Sequence, residues 1–293
     1  MLEFVSRISV VCFAASYAVA LACEGSRLLF RSGIRGAVMV GFAAAGLVAH
    51  TAFLLWRAAS EAAVPLSSPF DWYLLAAWVL AAGSLALTIS TPRTPVGLFV
   101  LPVVLGLIGA ATLSSREPFP QSPATQVWGA IHGGFNLAAS LAVAAGAVAG
   151  LMWLIQAGRL ARKEAPMRGF RMPSLERLSR TVAHAAMVAA WTAAAGFTSG
   201  IVLNAVNKRR GLLETVPWND PVVLRMAALV AWLAIAAAVS RAASQRPGGA
   251  RTTAWLSLVS FAILTGSILW GIFGATRHGA PPVAPVTAHE AAR

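Results

Sequence analysis

Charged side chains are scarce in this sequence of 293 residues. They make up 11% of the chain and apolar residues 58%, whereas a soluble domain usually carries about 25% charged residues. Residues 36–56 and 252–274 contain no charge, and residues 71–92 contain only Asp71. Each run is close to the ~20 residues needed to cross ~30 Å of hydrocarbon. The scarcity of charge therefore excludes a soluble globular protein and indicates that lipid surrounds most of the chain.

Cysteine is also rare, and the pattern of a β-barrel is missing. The two cysteines, Cys12 and Cys23, lie in the first apolar run without any CxxC or CxxCH motif. Neither a dithiol redox centre nor a covalently attached haem of the chain's own is indicated. No stretch of about ten residues alternates between polar and apolar as a lipid-facing strand does.

Common catalytic motifs are missing as well. The sequence contains no P-loop, HExxH zinc motif, dinucleotide fingerprint or Ser-His-Asp set with its nucleophile elbow. All ten acidic residues fall in loops, at span ends or in tails, so the sequence predicts no carboxylate in the middle of a span for ion coupling. A small-molecule transporter is the least favoured alternative, because matching Gly/Pro-broken helices in two halves are not evident either.

The apolar runs predict an all-α fold, a polytopic integral membrane helical bundle of about eight transmembrane helices. We divide the chain into an N-terminal four-helix transmembrane region (1–125), a transmembrane core (126–279) and a disordered Pro/Ala-rich tail (280–293). The first run is interpreted as a retained helix, because Cys23-Glu-Gly lacks a small-x-small cleavage pattern. The predicted spans are 5–23, 36–56, 71–91, 95–113, 128–157, 182–206, 221–242 and 252–275.

The positive charge is distributed unevenly between the two sides of the predicted bundle. Of 23 Lys and Arg residues, 14 fall after spans 1, 3, 5 and 7, mainly between Arg159 and Arg180. The positive-inside rule places that side in the cytoplasm and both termini outward. The net charge of +13 is thus explained by orientation near anionic lipid headgroups, and no nucleic-acid partner is expected.

The five histidines do not fall evenly along the predicted spans. His50, His132 and His278 all come near the outward boundary, although they lie in three distant segments. His184 lies at the cytoplasmic side, and His289 lies in the tail. Imidazole nitrogen ligates haem iron, and two axial histidines hold haem without a thioether bond. A single histidine at a helix end is more often an interfacial polar residue, so this reading stays open for each one alone.

An outer loop between spans 6 and 7 adds an aromatic residue and several cations. Trp218 lies in this loop, where it either caps the helix below or packs against a flat aromatic ligand. Arg225 and the run Lys208–Arg210 can pair with carboxylates such as haem propionates. Most of the ten tryptophans are explained by an aromatic belt at the membrane interfaces.

The order of several short motifs resembles the cytochrome c assembly protein family, which includes CcsA-, ResC- and CcmC-type haem-handling proteins and HemX-like relatives. The resemblance covers roughly residues 40–275. The segments that carry it are Gly46–His50, Ser67–Tyr73, His132, Pro173–Glu176, Gly196–Gly200 and Trp218–Pro221.

This resemblance implies a protein that accepts haem in the membrane and presents it outside to apocytochrome c. His132 and His278 match the paired external histidines that ligate the haem iron, and His50 matches a transmembrane histidine. Trp218 and Asp220 match the remnant of a Trp-rich loop. A second membrane protein with a large external domain, apocytochrome c and a bacterial cytoplasmic membrane are implied in the same way.

Two departures from the family pattern keep an alternative open. Only one Trp remains in the outer loop, and residues 238–240 stand where a second intramembrane histidine would fall. The alternative function is therefore a HemX-like, non-catalytic regulator or stabiliser in tetrapyrrole metabolism. Whether the chain is an enzyme is left undecided, because the thioether chemistry belongs to haem and the apocytochrome thiols.

Overall fold

All regular structure in the described part of the chain is helical. The structure is a computed structural model, and it describes residues 9–26, 33–60, 66–92, 94–118, 123–164, 171–210, 216–243, 246 and 248–273. These ranges contain no strand, so the predicted all-α class is confirmed there. The predicted tail 280–293 lies outside the described residues, and so do His278 and His289.

Eight helices follow one another in the part of the chain that the structure describes. They are α1 (Val10–Ser26), α2 (Gly33–Ser60), α3 (Pro69–Ser90), α4 (Val96–Leu113), α5 (Pro123–Ala161), α6 (Leu175–Arg210), α7 (Pro221–Ala243) and α8 (Gly249–Phe273).

Seven of these helices are long and apolar enough to cross a membrane, and only α1 is shorter, at 17 residues. The eight predicted spans each correspond to one helix, which confirms the polytopic helical bundle. Because the hydrocarbon core requires about 20 residues per helix, this set makes the chain a multi-pass membrane protein.

Local sequence explains where α3 and α4 begin and end. Ser68 caps α3, since its side chain accepts a hydrogen bond from the Asp71 N–H while Asp71 accepts one from the Ser68 N–H. Pro69 at the first helical position fits this start, because its missing N–H would have no helical partner there. A connection that contains Pro92 and Pro95 then leads into α4, and this helix continues through Pro102.

The helices pack in two sets of four. Helices α1 to α4 contact one another around a core that includes Phe13, Phe70, Leu74 and Val104, all at most 1% exposed. Helices α5 to α8 form the second set, and α5 and α6 share the most extensive contact in the described part. Small residues dominate the buried core of this second set, which allows the helix backbones to approach closely. The domain boundary at residue 125 stays a prediction.

The two sets meet where α3 and α4 contact α5 and α8. At one end of this contact, the indole of Trp72 lies so close to Gly133 that a Cβ at Gly133 would overlap it. Arg57, near the end of α2, pairs with Asp71 at the same level. Gly133, Trp72 and Arg57 therefore define one end of the bundle, the end that the charge distribution predicts to face outward.

Helices α5 and α6 are longer than the spans predicted for them. Helix α5 begins at Pro123 rather than at 128, and α6 runs from Leu175 to Arg210 rather than over 182–206. His132 is therefore nine residues, or about 14 Å, beyond the start of α5 at the 1.5 Å rise of a helix. The sequence placed it in about the first turn. The difference arises because polar residues at helix ends continue the helix beyond the apolar run.

Candidate functional site

The imidazole of His132 is held against α6 by one of its ring nitrogens. Nδ1 lies 2.8 Å from the carbonyl oxygen of Gly196. Since a carbonyl only accepts hydrogen bonds, Nδ1 carries the proton and donates it, and Nε2 of the neutral ring keeps its lone pair. The contact thus fixes both the tautomer and the direction of the ring.

Two glycines of α6 make room for this arrangement. A Cβ at Gly200 would lie 2.9 Å from Cε1 and 3.0 Å from Nδ1 of His132, but 3.9 Å from Nε2. A Cβ at Gly196 would lie 2.8 Å from Oδ1 of Asn136. Glycines four residues apart on a transmembrane helix permit close helix approach. The segment Gly196–Gly200, marked in the sequence only by resemblance, is the surface that receives His132 and Asn136.

Asn136 is the residue at this site that the sequence analysis missed. Its Nδ2 donates to the backbone carbonyl of His132 at 2.9 Å, and it lies 3.1 Å from Nε2 and 3.5 Å from Nδ1 of the same ring. An atom at similar distances from both ring nitrogens lies beside the ring and not along the in-plane lone pair of Nε2. The available signal was a polar amide four residues after a histidine, on one face of an apolar helix.

A cavity of about 50 Å³ opens beside His132 between α5, α6, α7 and α8. One end of its lining is polar, and the remainder is apolar. This volume is enough for a water molecule or two, and it is far below the ~300–1,000 Å³ of pockets that enclose a ligand of drug size. The residues that line it include His132, Asn136, Ser140, Phe197, Met226 and Leu264.

His50 lies in the first set of helices, where it is fully buried. Its ring stacks on Phe13 with centroids 4.1 Å apart and planes 3° from parallel. Its Nδ1 lies 3.4 Å from Oη of Tyr17, and its Nε2 has no hydrogen-bond partner among the described residues. His50 thus occupies an enclosed aromatic environment between α1 and α2.

His50 and His132 do not form one site. Helix α2 makes no contact with α5 in the described part of the chain. His50 also comes seven residues, about 10 Å, before Arg57 on α2, whereas His132 is adjacent to Gly133 at the level of Arg57. The two histidines therefore lie at different heights along the bundle and in different helix sets.

The outer loop leads into α7 through Trp218 and Asp220. Asp220 is buried, and its Oδ1 accepts a hydrogen bond from the Val222 N–H at 2.8 Å, which satisfies a free donor at the start of the helix. Trp218 is 62% exposed. Asn204 of α6 fixes the loop, because its amide makes two hydrogen bonds of 3.0 Å with the backbone of Val216. Asp220 therefore has a structural role as a helix cap, whereas Trp218 is accessible.

Arg225 lies one turn inside α7, immediately before Met226 of the cavity lining. Its Nε donates to the Pro221 carbonyl at 2.8 Å, and its guanidinium carbon lies 5.4 Å from the centre of the Trp270 ring on α8. Its Nη1 is buried without a hydrogen-bond partner among the described residues. A cation with an unused donor is a suitable partner for an anionic group.

The predicted partner of His132 falls outside the described residues. His278 comes five residues after Phe273, where the description of α8 ends. In the described part, no group of three or more His, Cys, Asp or Glu side chains is arranged to hold a metal ion. His132 is therefore the one predicted iron ligand whose geometry is described in the second helix set.

Comparison with family models, curated proteins and solved structures finds no match for this chain.

Proposed function

We propose that this membrane protein binds haem at the outward end of helices α5 to α8 and serves cytochrome c biogenesis. In this proposal His132 and His278 would hold the haem iron through their imidazole nitrogens. The protein lies in a bacterial cytoplasmic membrane with both termini outward, and a second membrane protein and apocytochrome c are its partners. These assignments follow from the family resemblance and the charge distribution.

The arrangement of His132 is the observation that supports the proposal most directly. Histidines that ligate metals almost always donate their second ring N–H to a carboxylate, a backbone carbonyl or water. His132 has this partner in the Gly196 carbonyl at 2.8 Å, which leaves Nε2 with its lone pair on the side away from α6. Bound haem would supply an iron centre with two axial positions for imidazole.

Arg225 provides the complementary charge for the haem carboxylates. Its buried Nη1 has no partner among the described residues, and its guanidinium lies over Trp270 near the outward end of α8. A propionate there would accept a charge-assisted hydrogen bond from a donor that is otherwise buried without one. Since Met226 follows Arg225 and lines the cavity beside His132, both groups belong to the same end of the second helix set.

The size of the cavity limits where the macrocycle can lie. A space of about 50 Å³ does not accommodate a porphyrin, so the haem does not fit inside the four helices as they are packed in this structure. Haem would instead lie against the outward end of the helices, or enter after they separate. His132 and Arg225 fit the group chemically, whereas the enclosed volume does not.

A haem titration of the purified protein in detergent tests the proposal. We expect the wild type to give the Soret spectrum of six-coordinate haem, and His132→Ala and His278→Ala to lose it. His184→Ala is the matched control, because His184 is exposed on α6 and lies toward the opposite end of the bundle. Binding by His132→Ala that is indistinguishable from the wild type would refute the assignment.

The small cavity also favours a second candidate function. A HemX-like protein that regulates or stabilises a partner in tetrapyrrole metabolism needs no haem-sized space inside its helices. Deletion of the gene separates the two functions. Loss of holocytochrome c with normal total haem supports the first, and altered haem synthesis with normal cytochrome c supports the second.

A further inference from the structure

We propose that Asn136, seated on Gly196, is a positioning residue that fixes His132 in the Nδ1–H tautomer with Nε2 facing away from α6. The proposal concerns a residue for which neither the sequence motifs nor the resemblance gives a role. Its consequence for iron ligation rests on the proposed function, whereas its consequence for the tautomer does not.

The amide of Asn136 lies beside the imidazole ring of His132. Nδ2 of Asn136 is anchored to the His132 carbonyl at 2.9 Å, and this anchor holds it 3.1 Å and 3.5 Å from the two ring nitrogens. The amide therefore supports the imidazole from the side and leaves the in-plane direction of Nε2 open. An imidazole supported in this way cannot turn about its χ2 angle without displacing the Asn136 side chain.

Helix α6 provides the space for both side chains through two glycines. Asn136 lies so close to Gly196 that a Cβ there would be 2.8 Å from its Oδ1, and a Cβ at Gly200 would be 2.9 Å from the imidazole. The two glycines thus receive two side chains of α5 that are themselves four residues apart. This match of spacing explains why glycine fits at both positions, because a Cβ at either one would displace the Asn136 amide or the imidazole.

The carbonyl of Gly196 accepts the hydrogen bond from Nδ1 of His132. The Gly196 oxygen also accepts a hydrogen bond from Oγ of Ser199 at 2.7 Å, and that hydroxyl lies 3.5 Å from Nδ1. If the ring turned over, Nδ1 would lose this acceptor and the proton would have no comparable partner on α6. Asn136 and the Gly196 carbonyl therefore act together, one on the side of the ring and one on its edge.

The decisive experiment is nitrogen NMR of the full-length protein labelled with ¹⁵N-histidine in detergent. The His132 signal is assigned by its loss in His132→Gln. We expect a single neutral tautomer protonated at Nδ1 in the wild type, and a mixture of tautomers in Asn136→Leu and Asn136→Ala. Thr198→Val is the control, because Thr198 is exposed and, among the described residues, its hydroxyl donates to the Ala194 carbonyl of its own helix.

A haem titration of the same variants forms the second arm. Changes in residues that orient a metal ligand typically weaken metal binding by about 10- to 100-fold, and we expect this loss for Asn136→Leu with normal far-UV circular dichroism. Gly200→Ala displaces the ring directly while Asn136 is kept. It therefore tests the position of the ring in a protein that has no folding defect caused by loss of Asn136.

The outcomes separate the two proposals. A wild-type His132 that populates both tautomers overturns the positioning role, and so does an unchanged Nδ1–H tautomer in both Asn136 variants. A tautomer that changes as expected in a protein that binds no haem supports the positioning role and refutes the haem function. Variants with mixed tautomers but wild-type haem affinity refute the link from Asn136 to the iron ligand.

Discussion

The pair of Tyr17 and His50 gives a stability prediction whose sign follows from counting buried polar groups. Both side chains are at most 1% exposed, and Oη of Tyr17 lies 3.4 Å from Nδ1 of His50. If the hydroxyl donates to Nδ1, the ring proton is on Nε2, which has no acceptor among the described residues. The native pair therefore contains one satisfied contact and one buried donor without a partner.

Substitution changes the number of unpaired groups in a defined way. Tyr17→Phe leaves both ring nitrogens of His50 unpaired, whereas His50→Leu removes them but leaves the Tyr17 hydroxyl unpaired. The double variant leaves none. Because hydrogen bonds between transmembrane helices average ~0.6 kcal/mol and reach ~1.7 kcal/mol, we take about 1 kcal/mol for each unpaired group. Relative to wild type, the free energy of unfolding should fall by about 1 kcal/mol in Tyr17→Phe and stay nearly unchanged in His50→Leu. In the double variant it should rise by about 1 kcal/mol.

Reversible unfolding in mixed micelles, followed by far-UV circular dichroism as the SDS fraction increases, measures these values. The expected coupling between the two positions is about 2 kcal/mol, which a double-mutant cycle resolves. Val48→Ala is the control, because Val48 is 70% exposed on the same helix and should stay within about 0.5 kcal/mol of wild type. A double variant no more stable than Tyr17→Phe would refute the reasoning.

Two further substitutions test the packing at other places in the bundle. Asp71→Ala should lower the free energy of unfolding by about 3 kcal/mol, because it removes the largely buried partner of Arg57 at the start of α3; a loss under about 1 kcal/mol would contradict this. Gly150→Val should cost about 1–3 kcal/mol by overpacking, since a Cβ there would lie 3.0 Å from the Ala254 carbonyl. Gly109→Ala, which has nothing within 4 Å of the added Cβ, should be neutral or slightly stabilising in the same unfolding assay.

The number and order of helices could be predicted because hydrocarbon imposes a simple rule. A chain that crosses lipid must satisfy its backbone hydrogen bonds within each helix, so length and hydropathy alone mark the spans. The starts of α5 and α6 were not readable, because the polar residues there belong to helices that extend beyond the apolar run.

The histidines show the limit of the same reasoning. Counting residues from span ends placed His50 and His132 near one leaflet, a prediction that depends on the orientation inferred from the charge distribution. Counting residues could not show that α2 and α5 do not touch, because the lateral arrangement of helices depends on which helix faces pack against each other.

By itself, the sequence determined that this chain is a bundle of membrane helices, because the transfer of apolar segments into lipid depends only on composition and length. The tertiary structure alone decided that His132 faces the Gly196 carbonyl, that Asn136 supports the ring, and that only a small cavity adjoins them. The His132 contact depends on residues 64 positions apart coming within hydrogen-bond distance, and Asn136 is seated against the same distant Gly196. That proximity is set by close packing of α5 on two glycines of α6, which no local pattern in the sequence records.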